Sequence, residues 1–251
     1  MKLQVALLPS LITVDSLEGL TVIVVDVLRA TTVMATALAA GADRVITCRE
    51  TDEAMLLRQS LTQTPLLGGE RGGLPIPGFD FGNSPREYQI SSLSGRTIVQ
   101  TTTNGTLAID RCRGANRLLT AAFVNLEAVA RAVIGDPHVL VVCAGTNGLI
   151  TGEDVLLAGA FVERVSVDGG VDLLDDQTWL AGQVWNSVKD SATSHVGLTK
   201  LLQETQGGRN LRRLNLEQDV HDAAARDFLN VVPICVDRKT LTFVGSSWPT
   251  L

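Results

Sequence analysis

Thr21-Val22-Ile23-Val24-Val25-Asp26-Val27-Leu28-Arg29-Ala30-Thr31-Thr32 runs an apolar strand straight into an acid, an arginine and two hydroxyls. All but one of the five residues before Asp26 are Val or Ile, which suits a strand buried on both faces of a parallel sheet. Ala30 to Ala40 is rich in helix formers. Asp26 and Arg29 therefore fall at a strand's carboxyl end, where open α/β sheets place their ligands. Outward from this stretch, short β-branched runs predict strands near 3–8, 21–26, 44–47, 65–68, 96–101, 117–120, 139–143 and 231–236. Helical stretches are expected at 30–41, 51–61, 85–90, 104–113, 125–134, 152–166, 175–191, 197–205 and 217–228, with Ser84-Pro85 marking one start. The alternation predicts an α/β protein, three-layer α/β/α, with a largely parallel or mixed sheet. The whole of 1–251 is expected to form a single α/β domain, although rising polarity after 166 leaves a subdivision near 166–170 open.

Composition narrows the function classes. With 251 residues, 45% of them hydrophobic and 19% charged, the chain can bury a substantial core. A net charge of −6 argues against a nucleic-acid surface, which needs clustered Lys and Arg. Asp26 and Arg29 interrupt the best apolar run before it nears the ~20 residues of a membrane helix. Lys2 to Pro9 mimics a signal peptide weakly, but Pro9 breaks the run and no A-x-A-like cleavage site follows; a cytoplasmic protein is expected. Cys48, Cys112, Cys143 and Cys235 are far apart and read as reduced thiols, Cys143 as a buried residue rather than a nucleophile. The three histidines show no zinc spacing. Homo-oligomerisation is left open.

Two further strand ends echo one another. Gln100-Thr101-Thr102-Thr103-Asn104-Gly105 and Ala144-Gly145-Thr146-Asn147-Gly148 each follow a predicted strand, which suggests two similar turns lining one crevice. Glycine permits close backbone approach, while hydroxyls, amides and main-chain N–H groups hold anions. Asn-Gly is also a common turn dipeptide, so the pairing beside Asp26 carries the argument. Gly68-Gly69-Glu70-Arg71-Gly72-Gly73 opens a loop to Asn83 and sets a metal-binding type of carboxylate beside a phosphate-binding type of guanidinium. Thr151-Gly152-Glu153-Asp154 reads equally as a helix cap and as two metal ligands. Gly207-Gly208-Arg209-Asn210 reads equally as an anion-binding turn and as a helix end. Carboxylates at strand ends with Mg²⁺, arginines and backbone donors suit phosphoryl chemistry. There is no GxxxxGK[ST], no GxGxxG after a strand and no GxSxG, and Asp26 lacks the second acid of the DxD phosphatases.

In order, Val24-Val-Asp-Val-Leu-Arg-Ala-Thr-Thr32, Gly69-Glu-Arg-Gly-Gly73, Gly78-Phe-Asp-Phe-Gly-Asn-Ser-Pro85, Thr101-Thr-Thr-Asn-Gly-Thr106 and Cys143-Ala-Gly-Thr-Asn-Gly148 resemble the blocks of the 2-phosphosulfolactate phosphatases. The resemblance implies a Mg²⁺-dependent α/β/α phosphatase that hydrolyses 2-phospho-3-sulfolactate to 3-sulfolactate and phosphate, a step towards coenzyme M. Its polar positions fall on Asp26, Arg29, Thr32, Glu70, Arg71, Asp80, Asn83, Thr102, Thr103, Asn104, Thr146, Asn147, Glu153 and Asp154. The His-Gly-Arg of many relatives is Gly207-Gly208-Arg209 here, which puts C-terminal substrate contacts in doubt. On this basis Asp26, Arg29, Glu70 and Arg71 are the expected catalytic residues, and Asp26 and Glu70, with Glu153 or Asp154, the Mg²⁺ ligands. Thr32, Thr102, Thr103, Asn104, Gly105, Thr146, Asn147, Gly148 and Arg209 are the expected contacts to a small anionic phosphorylated substrate. Attack by water and attack by Asp26 both stay open. So do two other functions: cleavage of a different 2-phosphorylated hydroxy acid, and anion binding without catalysis.

Overall fold

Strand β2, Thr21–Val25, is buried along its whole length and divides its side chains between two cores. Ile23 and Val25 enter one with Val139, Val141 and Cys143; Val22 and Val24 enter the other with Leu140 and Val142. Period-two burial on both faces is what an apolar run without alternation requires, so helices must cover each side. The computed structural model describes residues 1–12, 15–89, 93–167 and 170–247.

The strands are β1 (Lys2–Ala6), β2, β3 (Arg44–Thr47), β4 (Leu66–Arg71), β5 (Leu74–Pro75), β6 (Thr97–Thr101), β7 (Arg117–Ala121), β8 (His138–Cys143), β9 (Asp172–Leu173), β10 (Val232–Asp237) and β11 (Thr242–Ser246). They form one 11-stranded mixed sheet in the order β5-β4-β6-β3-β11-β10-β7-β2-β8-β1-β9. Strands β7, β2, β8, β1 and β9 are mutually parallel, as are β4, β6 and β3. The β10–β11 hairpin joins these blocks through antiparallel pairings on both sides.

Helices α1 (Ala30–Ala39), α2 (Thr51–Ser60), α3 (Gly105–Arg111), α4 (Leu126–Ala132), α5 (Gly152–Ser166), α6 (Asp176–Val188), α7 (His195–Glu204), α8 (Gln206–Arg213) and α9 (Glu217–Ala223) flank the sheet. One core packs α4, α5 and α6 on β1, β2, β7 and β8; the other holds α1 and α3. Helix α1 touches β3, β7, β10 and β11, so the sheet wraps round it. The expected three-layer α/β architecture is present. Among the described residues no helix is long and apolar enough to cross a membrane.

Several expectations need correction. The 68–83 segment is not a plain loop: β4 runs on to Arg71 and turns back as β5. The helix expected at 85–90 is one 3-10 turn, Pro85–Tyr88, with Ser84 and Glu87 forming its capping box. Gly207-Gly208-Arg209-Asn210 is neither turn nor helix end but the body of α8, and α9 stops at Ala223 rather than 228. Of the region 166–170, residues 168 and 169 lie outside those described; beyond it, β10 and β11 sit within the main sheet.

Candidate active site

The carboxyl ends of β2, β4, β6 and β8 converge on a crevice of about 310 Å³, within the range of small-ligand pockets. Asp26 leaves β2, Glu70 lies near the end of β4, Thr102 follows β6 and Thr146 follows β8; all four line it. The two Thr-Asn-Gly turns touch: the Asn147 backbone N–H donates to Asn104 Oδ1 at 2.9 Å. Asn147 itself takes a left-handed conformation, φ 53°, which Asn tolerates better than most residues. The structure thus brings both turns to the crevice that Asp26 and Glu70 line.

Backbone amides orient the carboxylates. Asp26 Oδ1 accepts from Ala30 N at 3.2 Å at the start of α1, and Thr31 Oγ1 bonds both the N–H and the carbonyl of Asp26. Glu70 accepts from Thr103 N at 2.7 Å with one oxygen and from Gly73 N at 2.6 Å with the other, tying β4 to the turn after β6. Asp154 accepts from Val27 N and Gly145 N, each at 2.9 Å, and so clamps the chain after β2 to the chain after β8. The Thr151 hydroxyl donates to Asp154 at 3.4 Å instead of capping α5. Glu153 is 2% exposed, and its Oε2 is buried without a hydrogen-bond partner.

Burial dominates the electrostatics. It pushes the Asp26 carboxyl up to about 7, against the pull of the Ala30 amide and with added repulsion from Glu70 and Glu153. Burial also raises Glu153, and it raises Asp154 well above the ordinary carboxylate range, with Asp26 and Glu153 adding repulsion there. The three acids thus share one desolvated, mutually repelling neighbourhood. Among the described residues no three His, Cys, Asp or Glu side chains form a ready-made metal cage.

The arginines depart most from expectation. Arg29 lines the crevice, but its guanidinium pairs with Asp219 at 2.6 Å and donates to the Gly73 carbonyl at 2.8 Å; both side chains of the pair are 3% exposed. Arg71 is not brought to the crevice: it donates to the carbonyls of Glu70 and Arg49 and to Thr101 Oγ1, in a neighbouring cleft. Arg209 is exposed on α8 and donates to the Glu204 carbonyl, outside the lining. Thr32 is fully buried, with its hydroxyl given to the Val27 carbonyl, so it shapes the start of α1 and does not line the crevice.

Gly105 and Gly148 belong to the turns without lining the crevice, and Gly105 has a packing role. A Cβ there would stand 2.5 Å from Ala30 Cβ and 2.7 Å from Asp26 Oδ2. Asp80 pairs with Arg58 and accepts from Leu67 N, a structural task. Sequence reasoning missed Asp219, which also accepts from Ser84 Oγ at 2.5 Å, and missed Arg213 of α8, which lines the crevice; of the 207–210 segment, Gly207 and Asn210 line it and Arg209 does not.

With this geometry in place, the likeness to known proteins is informative. The sequence model of a family described as 2-phosphosulpholactate phosphatase matches residues 6–238. A protein of Thermotoga petrophila is 38% identical over 88% of this chain and 91% of its own. One of Deinococcus radiodurans is 38% identical over 94% of each chain, and one of Clostridium perfringens 32% identical over 92% of each. All three bear the name "Probable 2-phosphosulfolactate phosphatase". A match across nearly the whole chain, with the motif loops gathered round one crevice, places this protein in the 2-phosphosulfolactate phosphatase family.

Proposed function

We propose that the protein is a Mg²⁺-dependent phosphoric monoester hydrolase that converts 2-phospho-3-sulfolactate to 3-sulfolactate and phosphate in the cytoplasm, the type of reaction that leads towards coenzyme M. The observation that carries the reading is the direct bond between the two Thr-Asn-Gly turns in the crevice that Asp26 and Glu70 line. Hydroxyls and amides from two strand ends then surround one anion position, with acids beside it. The relatives' names supply the substrate.

The donor set fits Mg²⁺, a hard cation that keeps several waters and needs only one or two carboxylates plus substrate oxygens. Asp26 and Glu70 would hold it at the crevice wall, whereas Glu153 and Asp154, the other two acids expected as ligands, are buried behind the lining, Asp154 with both oxygens taken by the Val27 and Gly145 amides. When bound there, it would neutralise phosphoryl oxygens and make phosphorus a better electrophile. The chain's own residues do the rest. The Ala30 amide fixes Oδ1 of Asp26, while Oδ2 lies against Gly105 at the base of the Thr-Asn-Gly turn. Asp26 thereby stands where it can attack phosphorus itself or orient an attacking water. Thr103, Asn104, Thr146 and Asn147 hold the phosphoryl oxygens.

Phosphate release from 2-phospho-3-sulfolactate, 2-phospholactate and unrelated phosphate esters, each with Mg²⁺ and with a chelator, tests the reading. Chelator-sensitive release is expected from the first, and its loss in Asp26→Asn with an unchanged circular dichroism spectrum. Preference for phospholactate would shift the substrate. Release from none, or full turnover by Asp26→Asn, would overturn the assignment.

A further inference from the structure

The crevice holds acids on its wall and few cations with charge to spare. Asp26 and Glu70 face it, and the charge of Arg29 is met by Asp219 in a buried pair. Arg71 and Arg209 point elsewhere. Among the described residues the one crevice-lining arginine without a carboxylate partner is Arg213, whose hydrogen bond is a long one, Nη1 to Asn210 Oδ1 at 3.4 Å. Arg213 ends α8, and the leucine after it closes that end: a Cβ at Gly73 would meet Leu214 Cδ1 at 2.6 Å. Asn83 also lines the crevice, 4% exposed, with Oδ1 lacking a partner. The crevice thus has an anion-holding end at the Thr-Asn-Gly turns and a second polar end made by α8, the Gly72–Gly73 turn and Asn83.

Resting on the phosphatase reading, we propose that Arg213, steadied by Asn210, is the residue that binds one of the substrate's two non-phosphate anions, its carboxylate or its sulfonate. A planar guanidinium suits either group, and an exposed side chain with one weak bond is free to turn towards it. A charge-assisted hydrogen bond of this kind corresponds to about tenfold or more in affinity.

The test compares wild type, Arg213→Gln, Arg213→Lys and Arg212→Gln. The last removes the same charge from the neighbouring position, where the side chain bonds the Gln203 carbonyl and Glu204 outside the crevice. Steady-state kinetics are measured on 2-phospho-3-sulfolactate and on p-nitrophenyl phosphate, and binding of 3-sulfolactate by calorimetry. Arg213→Gln is expected to raise KM for the sulfolactate ester about tenfold more than KM for the aryl ester. The 3-sulfolactate Kd should rise by a similar factor, and Arg213→Lys should restore part of the loss. Equal effects on both esters, or an equal ratio change in Arg212→Gln, overturn the proposal. If wild type cleaves neither ester, the phosphatase reading falls by itself. The calorimetric arm still decides Arg213: no 3-sulfolactate binding by wild type, or the same affinity in Arg213→Gln, overturns it.

Discussion

Replacing Asp219 by alanine should destabilise the protein severely, chiefly because it strands a buried positive charge without its counter-ion. Arg29 Nη1 lies 2.6 Å from Asp219 Oδ2, and both side chains are 3% exposed. Without the carboxylate the guanidinium keeps the Gly73 carbonyl, and Ser84 loses the acceptor of a 2.5 Å hydrogen bond. Breaking one side of a buried ion pair costs about 3–5 kcal/mol, far more than the net worth of the intact pair. At about 2–4 °C per kcal/mol for a chain of this size, the midpoint of thermal unfolding should fall by about 6–20 °C. Urea unfolding of Asp219→Ala, Arg29→Met and the double variant separates the stranded charge from the worth of the pair. The double variant should be more stable than Asp219→Ala, since removing the guanidinium removes the orphaned charge. A loss below about 1 kcal/mol in Asp219→Ala would refute the reasoning, as would a double variant as unstable as the sum of the singles.

Other substitutions probe the supports of the site. Gly105→Ala places a methyl 2.7 Å from Asp26 Oδ2 and 2.5 Å from Ala30 Cβ, so phosphate release should collapse while stability falls by about 1–3 kcal/mol; unaltered turnover would mean that Asp26 need not hold its position. Gly69→Ala would bring a Cβ to 1.9 Å from the Thr101 carbonyl at φ 148°, and should cost at least as much, read as a drop in urea midpoint. Glu127 supplies the pH test. Its hydrogen bond from Arg164, opposed by burial and aided by Arg131, holds the carboxyl down from the ordinary 4.5 to about 2. A depressed folded-state value gives stability that is present above 4.5 and fades as pH falls towards 2. Because Glu127 and Arg131 are about one-third exposed, solvent screening reduces the effect to about 1 kcal/mol. The gap in urea midpoint between wild type and Glu127→Gln should therefore close on acidification, and a pH-independent gap would contradict this origin.

How far the sequence revealed this arrangement depended on the length scale of each signal. Long β-branched runs such as Thr21–Val25 and His138–Cys143 carried their own evidence, because strands buried on both faces need nothing but apolar residues. Strands β5 and β9 have two residues each and no periodicity to detect, and β11 carries Gly245. Glycine misled twice for the same reason. In β4, a Cβ at Gly68 would strike the Tyr88 hydroxyl at 1.9 Å; in α8, one at Gly207 would strike Glu153 Oε1 at 2.1 Å. These glycines admit a neighbour closely where local rules read a turn or a helix break. The paired Thr-Asn-Gly turns were legible because both halves carry the same motif. Asp219 was not: an acid in a first helical turn looks like a macrodipole partner, and its arginine is 190 residues away in the chain.

That four strand ends from two blocks meet at one crevice follows from sheet twist. Between β3 and β7 there are three antiparallel joints, β3–β11, β11–β10 and β10–β7, so the two parallel blocks run in opposite directions when counted along the sheet. In a flat sheet their carboxyl ends would lie on opposite edges, and Asp26 could never approach Thr102. From β6 to β2 there are five strand steps, and at about 20–25° each the right-handed strand twist accumulates to about 100–125°. Wrapped round α1, the sheet thereby swings the carboxyl ends of β4 and β6 towards those of β2 and β8. The β10–β11 hairpin is the element that makes this count work, since inserting or deleting one strand there would reverse one block and dismantle the crevice. The last described strands of the chain, far from any motif residue, therefore set which loops face one another.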